Sequence, residues 1–288
     1  MDEKPWIEYY KDKKDRVFMS KLFYYFVCII MALFVALYFL NYYFNLNYSY
    51  ITINGRSMQP TLNPNPYTVV TGIVNGEKKT ETIQDGVYIN HKKDATYGDI
   101  IVIENVFPTK TIIKRVLAFE GDYVSIVKVE VKEDIFQYRL MRMKNGSDEV
   151  EVLEESYIKS HYEWVNTYYE NQPQDIETPQ VIYEPFFYPT FSNGYDSKIV
   201  NVEEYGFDVK FFQVPEGEIF YLGDNRTNSS DSRDKDLGTT EKNNILGKVV
   251  KIVRNGAACD KNGLWWLNRA GGYFSVIWDN ILEFFKGK

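Results

Sequence analysis

The chain has 288 residues but only two histidines, His91 and His161, and two cysteines, Cys28 and Cys259. Any Ser-His or Cys-His pair would have to run through His91 or His161. His91 stands in the polar stretch Asn90–Asp94, and His161 in an acidic one. Neither neighbours a motif with nucleophile character, so both read as surface residues. Ser57 is a better candidate nucleophile. It follows a short strand in Asn54-Gly55-Arg56-Ser57-Met58-Gln59-Pro60, where Gly55 permits a tight turn and Pro60 ends any regular element. A Ser at such a junction presents its Oγ and its own N–H to a cleft, although serine is also common in ordinary turns. Lys114 supplies a base that is not histidine. In Thr111–Ala118 read as a strand, alternation puts it on one face with Ile112, Val116 and Ala118, and Arg115 on the other with Ile113 and Leu117. An ammonium on an apolar face loses solvation, its pKa falls, and the neutral amine can take a serine proton. Ser-Lys dyads are a known alternative to the histidine triad. The competing reading is a lysine whose stem lies along the sheet with its head in water. A third segment, Gly223–Arg233, follows a strand and is dense in hydroxyls, amides and charges. It lacks the Asp spacing, central Gly and terminal Glu of a calcium loop. A hydrogen-bonding loop that holds a lysine in place fits it better, with Asp231 and Arg233 able to pair, and an ordinary polar turn is the alternative.

The elements that must position these residues are mainly β. Ser49–Asn54, Asp99–Ile103, Thr111–Phe119, Tyr123–Val131, Glu218–Leu222 and Gly247–Val253 are short runs rich in Val, Ile and Tyr, bounded by turn residues. Before them stands Leu22–Leu40, nineteen residues without a charge. At about 1.5 Å per residue it can cross a bilayer core of roughly 30 Å. No small-residue exit follows it, so it reads as an uncleaved signal anchor. Lys11, Lys13, Lys14, Arg16 and Lys21 precede the span, and no Lys or Arg follows until Arg56. Positive charge stays inside, which predicts a cytoplasmic N-terminus and an external domain, with Tyr42, Tyr43, Phe44, Tyr48 and Tyr50 at the outer interface.

The expected organisation is a cytoplasmic tail over 1–21, a transmembrane anchor over 22–40, a β catalytic domain in two parts over 45–129 and 210–258, an insert over 130–209, and an aromatic tail over 259–288. The insert holds 17 Asp/Glu against 6 Lys/Arg, more negative than the whole chain at −7. It reads as a solvated decoration or as a cap that contacts substrate. The tail carries Trp265, Trp266, Tyr273, Phe274, Trp278, Phe284 and Phe285, broken by Arg269 and Gly271-Gly272, which argues against a second span. It would lie in headgroups or pack beneath the domain. The acidic balance argues against nucleic acid as a partner. The two cysteines and two histidines do not cluster in the sequence as a structural zinc site requires.

The order of Gly55–Leu62 (GRSMQPTL), Tyr97–Ile103 (YGDIIVI), Lys114–Asp122 (KRVLAFEGD) and Gly223–Arg233 (GDNRTNSSDSR) resembles the characteristic boxes of type I signal peptidases. A single preceding anchor is similar too. The resemblance covers roughly residues 20–125 and 210–255. It implies that Ser57 is the nucleophile and Lys114 the general base, that Ser229 orients Lys114, and that Asp231 and Arg233 form a structural ion pair. It also implies a β-rich domain, preproteins bearing signal peptides as substrates, small residues before the cleavage site, a lipid bilayer as surroundings and no cofactor or metal. The chain departs from the family where a Ser often helps bind the oxyanion two positions before the nucleophile. Gly55 stands there, as in Gram-positive members, which leaves the Ser57 N–H as the main oxyanion donor. After the lysine, Ala118–Asp122 replaces the usual GLPGD pattern, and 64–95 is longer than in short members. Two other readings compete. A self-cleaving repressor-type Ser-Lys peptidase would need a DNA-binding domain and the cytosol. A catalytically inactive, membrane-anchored binding protein would keep the boxes only as scaffold.

Overall fold

The computed structural model describes residues 4–64, 67–74, 77–107, 110–132, 135–158, 195–203, 206–226, 228–234, 237–257 and 265–286. His161, Cys259 and the middle of the acidic segment lie outside the described residues. The chain opens with helix α1, Lys4–Asn47. It extends beyond Leu22–Leu40 at both ends, because no Gly or Pro interrupts residues 6–47 and Pro5 sits in the first turn, where no N–H is needed. Within it, Arg16–Asn47 is long and apolar enough to cross a membrane. The chain divides into two compact units, Met1–Tyr48 and Ser49–Lys288.

The second unit is mainly β. Its strands are β1 Tyr48–Thr52, β2 Tyr67–Val74, β3 Glu77–Asn90, β4 Ile100–Phe107, β5 Lys110–Phe119, β6 Tyr123–Lys132, β7 Ile135–Met143, β8 Glu151–Val152, β9 Ser197–Val202, β10 Phe207–Gln213, β11 Glu218–Leu222, β12 Thr240–Glu241 and β13 Ile245–Ala257. A closing helix, α2, spans Trp265–Phe285. One sheet has the order β1-β3-β13-β4-β5-β11-β12, with β2 paired to β3; the other runs β8-β7-β6-β10-β9. Strands that carry the candidate residues are therefore central: β5 lies between β4 and β11, antiparallel to both. Leu117 and Ala118 from β5 pack with Val124, Leu140, Phe212, Phe220 and Leu222, a cluster that ties the two sheets together. A second cluster joins Ile53, Met58 and Leu62 of the Ser57 segment to Val87, Ile89, Val102 and Ile113, so the Ser57 turn is pinned by its apolar neighbours.

The segment 130–209 is not wholly separate from the β scaffold. Its ends supply β7, β8, β9 and the first three residues of β10, which form the second sheet with β6. In β7 the last four residues, Leu140, Met141, Arg142 and Met143, are all buried. The aromatic tail is also ordered differently from a broken segment. α2 continues through Gly271-Gly272, because a Cβ at Gly272 would lie 2.6 Å from Val253 Cγ2 and 3.0 Å from Tyr88 Cε2. That glycine is what lets the helix lie close against β13 and β3.

Candidate active site

Ser57 sits in the turn after β1, and the backbone there is held from three sides. Asn63 donates from Nδ2 to the carbonyl of Ile53, at 2.8 Å, and its backbone N–H donates to Asp85 Oδ2, at 2.8 Å. The Asp85 N–H returns a bond to Asn63 Oδ1. The Asn225 N–H donates to the Ser57 carbonyl at 2.9 Å, and Asn225 Nδ2 donates to the Arg56 carbonyl at 3.0 Å. Gly55 has φ +103° with nothing near the place of a Cβ, so the turn uses glycine for its backbone and leaves space beside the serine. Among the described residues the Ser57 N–H makes no hydrogen bond.

Lys114, in the middle of β5, is buried at 3% exposure. Its Nζ donates to Ser57 Oγ at 3.0 Å and to the Ile113 carbonyl at 3.0 Å. Burial pushes the ammonium down to about 8; the carboxylates of Asp231 and Asp224 oppose that drop, and the Arg233 guanidinium adds to it. The lysine head is thus in contact with the serine hydroxyl rather than in water. A cleft of about 590 Å³ opens at the pair, with Ile51, Ile53, Val102, Ile112 and Ile113 among its apolar walls.

The neighbouring Arg115 takes a different partner. Its Nε and Nη2 donate to Asp224 at 2.8 and 2.6 Å, its Nη1 donates to the Gly98 carbonyl, and its guanidinium stacks on Tyr157. Asp224 also accepts from the Thr61 hydroxyl, so one buried carboxylate joins β5, the serine segment and the loop after β11.

Asp231 and Arg233 pair as the loop's composition suggested, through Nε–Oδ1 at 2.8 Å and Nη2–Oδ2 at 2.9 Å. Asp231 Oδ2 also accepts the Gly223 N–H. Burial pushes this carboxyl up, but Arg233 and the Gly223 N–H outweigh it and hold the group below its ordinary range. Ser229 is placed differently from the role assigned to it. Its Oγ is buried beside the Asp231 carboxylate without a hydrogen bond of good geometry, and it is not among the acceptors of Lys114, where the Ile113 carbonyl stands instead. It is nevertheless close to the serine segment. A Cβ at Gly223 would lie 2.1 Å from Ser229 Oγ and 2.5 Å from the Ser57 carbonyl. Gly223→Ala is therefore expected to push the serine segment off its position and to lower peptide cleavage about 100-fold, the cost of a shift near 1 Å at a reacting group. Steady-state kinetics on the purified variant checks this.

His91 takes no part in this cluster: Nε2 meets Ser49 Oγ at 2.8 Å and Nδ1 the Leu246 carbonyl at 2.8 Å. The residues that sequence reading missed are Asn63, Asp85, Arg115, Asp224 and Asn225. Asp224 and Asn225 stand inside a loop already singled out, but their partners lie far away in sequence, and nothing local signalled them.

The chain is similar to known proteins. A family model described as "Signal peptidase, peptidase S26" matches residues 22–253. The chain is 27% identical over 250 residues to a signal peptidase I of Buchnera aphidicola subsp. Acyrthosiphon pisum (strain APS), covering 78% of this chain and 74% of that protein. It is 28% identical over 219 residues to a signal peptidase I of Aquifex aeolicus (strain VF5), covering 71% and 75% respectively. A signal peptidase I structure from Enterococcus faecalis V583 aligns with 22% identity and a TM-score of 0.28, over 55% of this chain and 98% of that one. The protein is thus a serine-class peptidase on a mainly β scaffold. It belongs to the signal peptidase family S26, whose activity is the removal of signal peptides from preproteins.

Proposed function

We propose that this chain cleaves signal peptides by a Ser57–Lys114 dyad, held at the membrane by α1 with its N-terminus cytoplasmic and its β unit outside. The observation that carries the dyad is the 3.0 Å contact between a buried lysine amine and the serine hydroxyl. Six basic residues before the apolar stretch and none between it and Arg56 support the orientation.

The extended substrate lies in the cleft with its small side chains against Ile51, Ile53 and Ile113. Neutral Lys114 takes the proton of Ser57 as Oγ bonds to the scissile carbonyl carbon. The Ser57 N–H receives the oxyanion, and open space beside Gly55 leaves room for it. The C–N bond breaks as the Lys114 ammonium returns its proton to the leaving amine. Water then attacks the acyl carbon and gives a proton to Lys114, which passes it to Ser57 Oγ as the acyl C–O bond breaks. The Asp231–Arg233 pair fixes the loop after β11, and through the Gly223 N–H the place where that loop meets Ser57. Ser229 acts as a positioning residue in this packing. A binding protein without activity would have no use for a lysine kept buried against a serine.

Cleavage of a preprotein in detergent by wild type, Ser57→Ala and Lys114→Ala tests the dyad. Both variants are expected to lose roughly 10³-fold or more. Wild-type rates in either would end the proposal.

A further inference from the structure

Helix α2 has two apolar sides, and the domain covers only one. Gly272 and Val276 are buried, with Gly272 against Val253 and Tyr88. On the opposite side, Phe274 and Trp278 are 66% and 60% exposed, and Ile281 and Leu282 are exposed as well. At 100° per residue these four fall within an arc of about 100°. Asp279 and Lys286 lie to one flank of that arc, and Glu283, on the inner side, pairs with Lys93. An outward stripe of Trp, Phe, Ile and Leu, one to two turns apart, is the composition of a helix that lies in a lipid interface.

The position of α2 in the fold says which apolar phase is near. The Arg269 guanidinium stacks 4.4 Å from the centre of the Tyr50 ring, and the Tyr88 hydroxyl donates to the Arg269 carbonyl at 3.0 Å. Tyr50 follows Asn47, the last residue of α1, by three positions. Arg269 of α2 is therefore held against Tyr50, in the strand that follows the apolar helix along the chain. It also stays clear of the cleft: Val87 and Ile89 of β3 pack with Ile53, Val102 and Ile113, whereas Tyr88 faces the helix.

We propose that the outer face of α2, through Phe274, Trp278, Ile281 and Leu282, beds in the headgroup–acyl boundary of the bilayer that α1 spans. The helix is then a second, lateral contact that holds the β unit at the membrane surface, with side chains reaching about 5–10 Å into the boundary. This inference rests on the reading of α1 as a membrane anchor.

The test uses the full chain with Cys28 and Cys259 changed to Ser, reconstituted in phosphatidylethanolamine–phosphatidylglycerol vesicles. Single cysteines replace Phe274, Trp278, Leu33 or Glu149, each carrying a nitroxide label whose access to oxygen and to a water-soluble nickel chelate is measured. The expected result is a lipid-like oxygen-to-nickel ratio at 274, 278 and 33, several-fold above that at the exposed Glu149 position. A lipid-like ratio at 33 with water-like values at 274 and 278 overturns the inference and leaves the anchor standing. Exclusion of both reagents at 274 and 278, with spin broadening relieved by dilution into unlabelled chain, assigns the face to a second copy and equally overturns it. A water-like ratio at 33 removes the anchor reading itself, and the inference with it.

Discussion

Replacing Lys114 by Met is expected to stabilise the protein while abolishing cleavage. Folding buries this ammonium and lowers its pKa from 10.5 to about 8, a drop worth about 3 kcal/mol. The sign follows from linkage. Below about pH 8 the lysine is charged both folded and unfolded, so the full cost of burying the charge weighs on the native state. Between about pH 8 and 10 the folded form sheds its proton first, and the wild type gains stability as pH rises. Met fills a similar volume without the charge. Denaturant unfolding should therefore show the Met variant ahead by about 3 kcal/mol at pH 7, less the lost hydrogen bonds to Ser57 Oγ and the Ile113 carbonyl, each worth about 1 kcal/mol. The gap should close towards pH 10. A Met variant less stable than wild type at pH 7 would mean that the lysine contributes to folding, and that its burial is not a cost retained for chemistry.

Asp224→Ala is expected to have the largest effect on stability. The change strips a buried carboxylate from the Arg115 guanidinium, itself only 11% exposed on its side chain, and from the Thr61 hydroxyl. Breaking a buried pair from one side costs about 3–5 kcal/mol, because the remaining charge stays buried and unmatched. The melting temperature should fall by roughly 10 °C for a unit of this size. Because the Asp224 charge also raises the Lys114 pKa, a variant that still folds should reach its active form at lower pH than wild type. Loss of stability without that displacement would place Asp224 in the scaffold alone.

Much of this site can be read from the residues. Ser57 and Lys114 stand out because a strand-to-turn serine and a lysine on an apolar strand are local features, and the scarcity of histidine points to lysine as the base. What holds them is not local. Arg115 meets Asp224 across 109 residues and Asn63 meets Asp85 across 22, so no period or spacing links the partners. Ser229 shows the reverse limit: its place in the loop was legible, but the direction of its hydroxyl depends on Gly223 and Asp231 packed around it. The acidic segment misleads for a different reason. Its net charge reads as solvated surface, yet Leu140, Met141, Met143, Val202 and Val209 are buried in the cores beside the second sheet, which a charge count hides. The glycine pair in the tail reads as a break, because a sequence does not show that a sheet presses against one of them.

The claim that a buried, neutral lysine drives the serine is tested most directly by the pH dependence of kcat/KM. The measurement uses a peptide substrate without groups that titrate between roughly pH 6 and 10. The account predicts a rate that rises about tenfold per pH unit on the acid side and levels off above a single midpoint near 8. A profile that is flat across that range, or one with its midpoint near the ordinary histidine value of about 6.5, would contradict it.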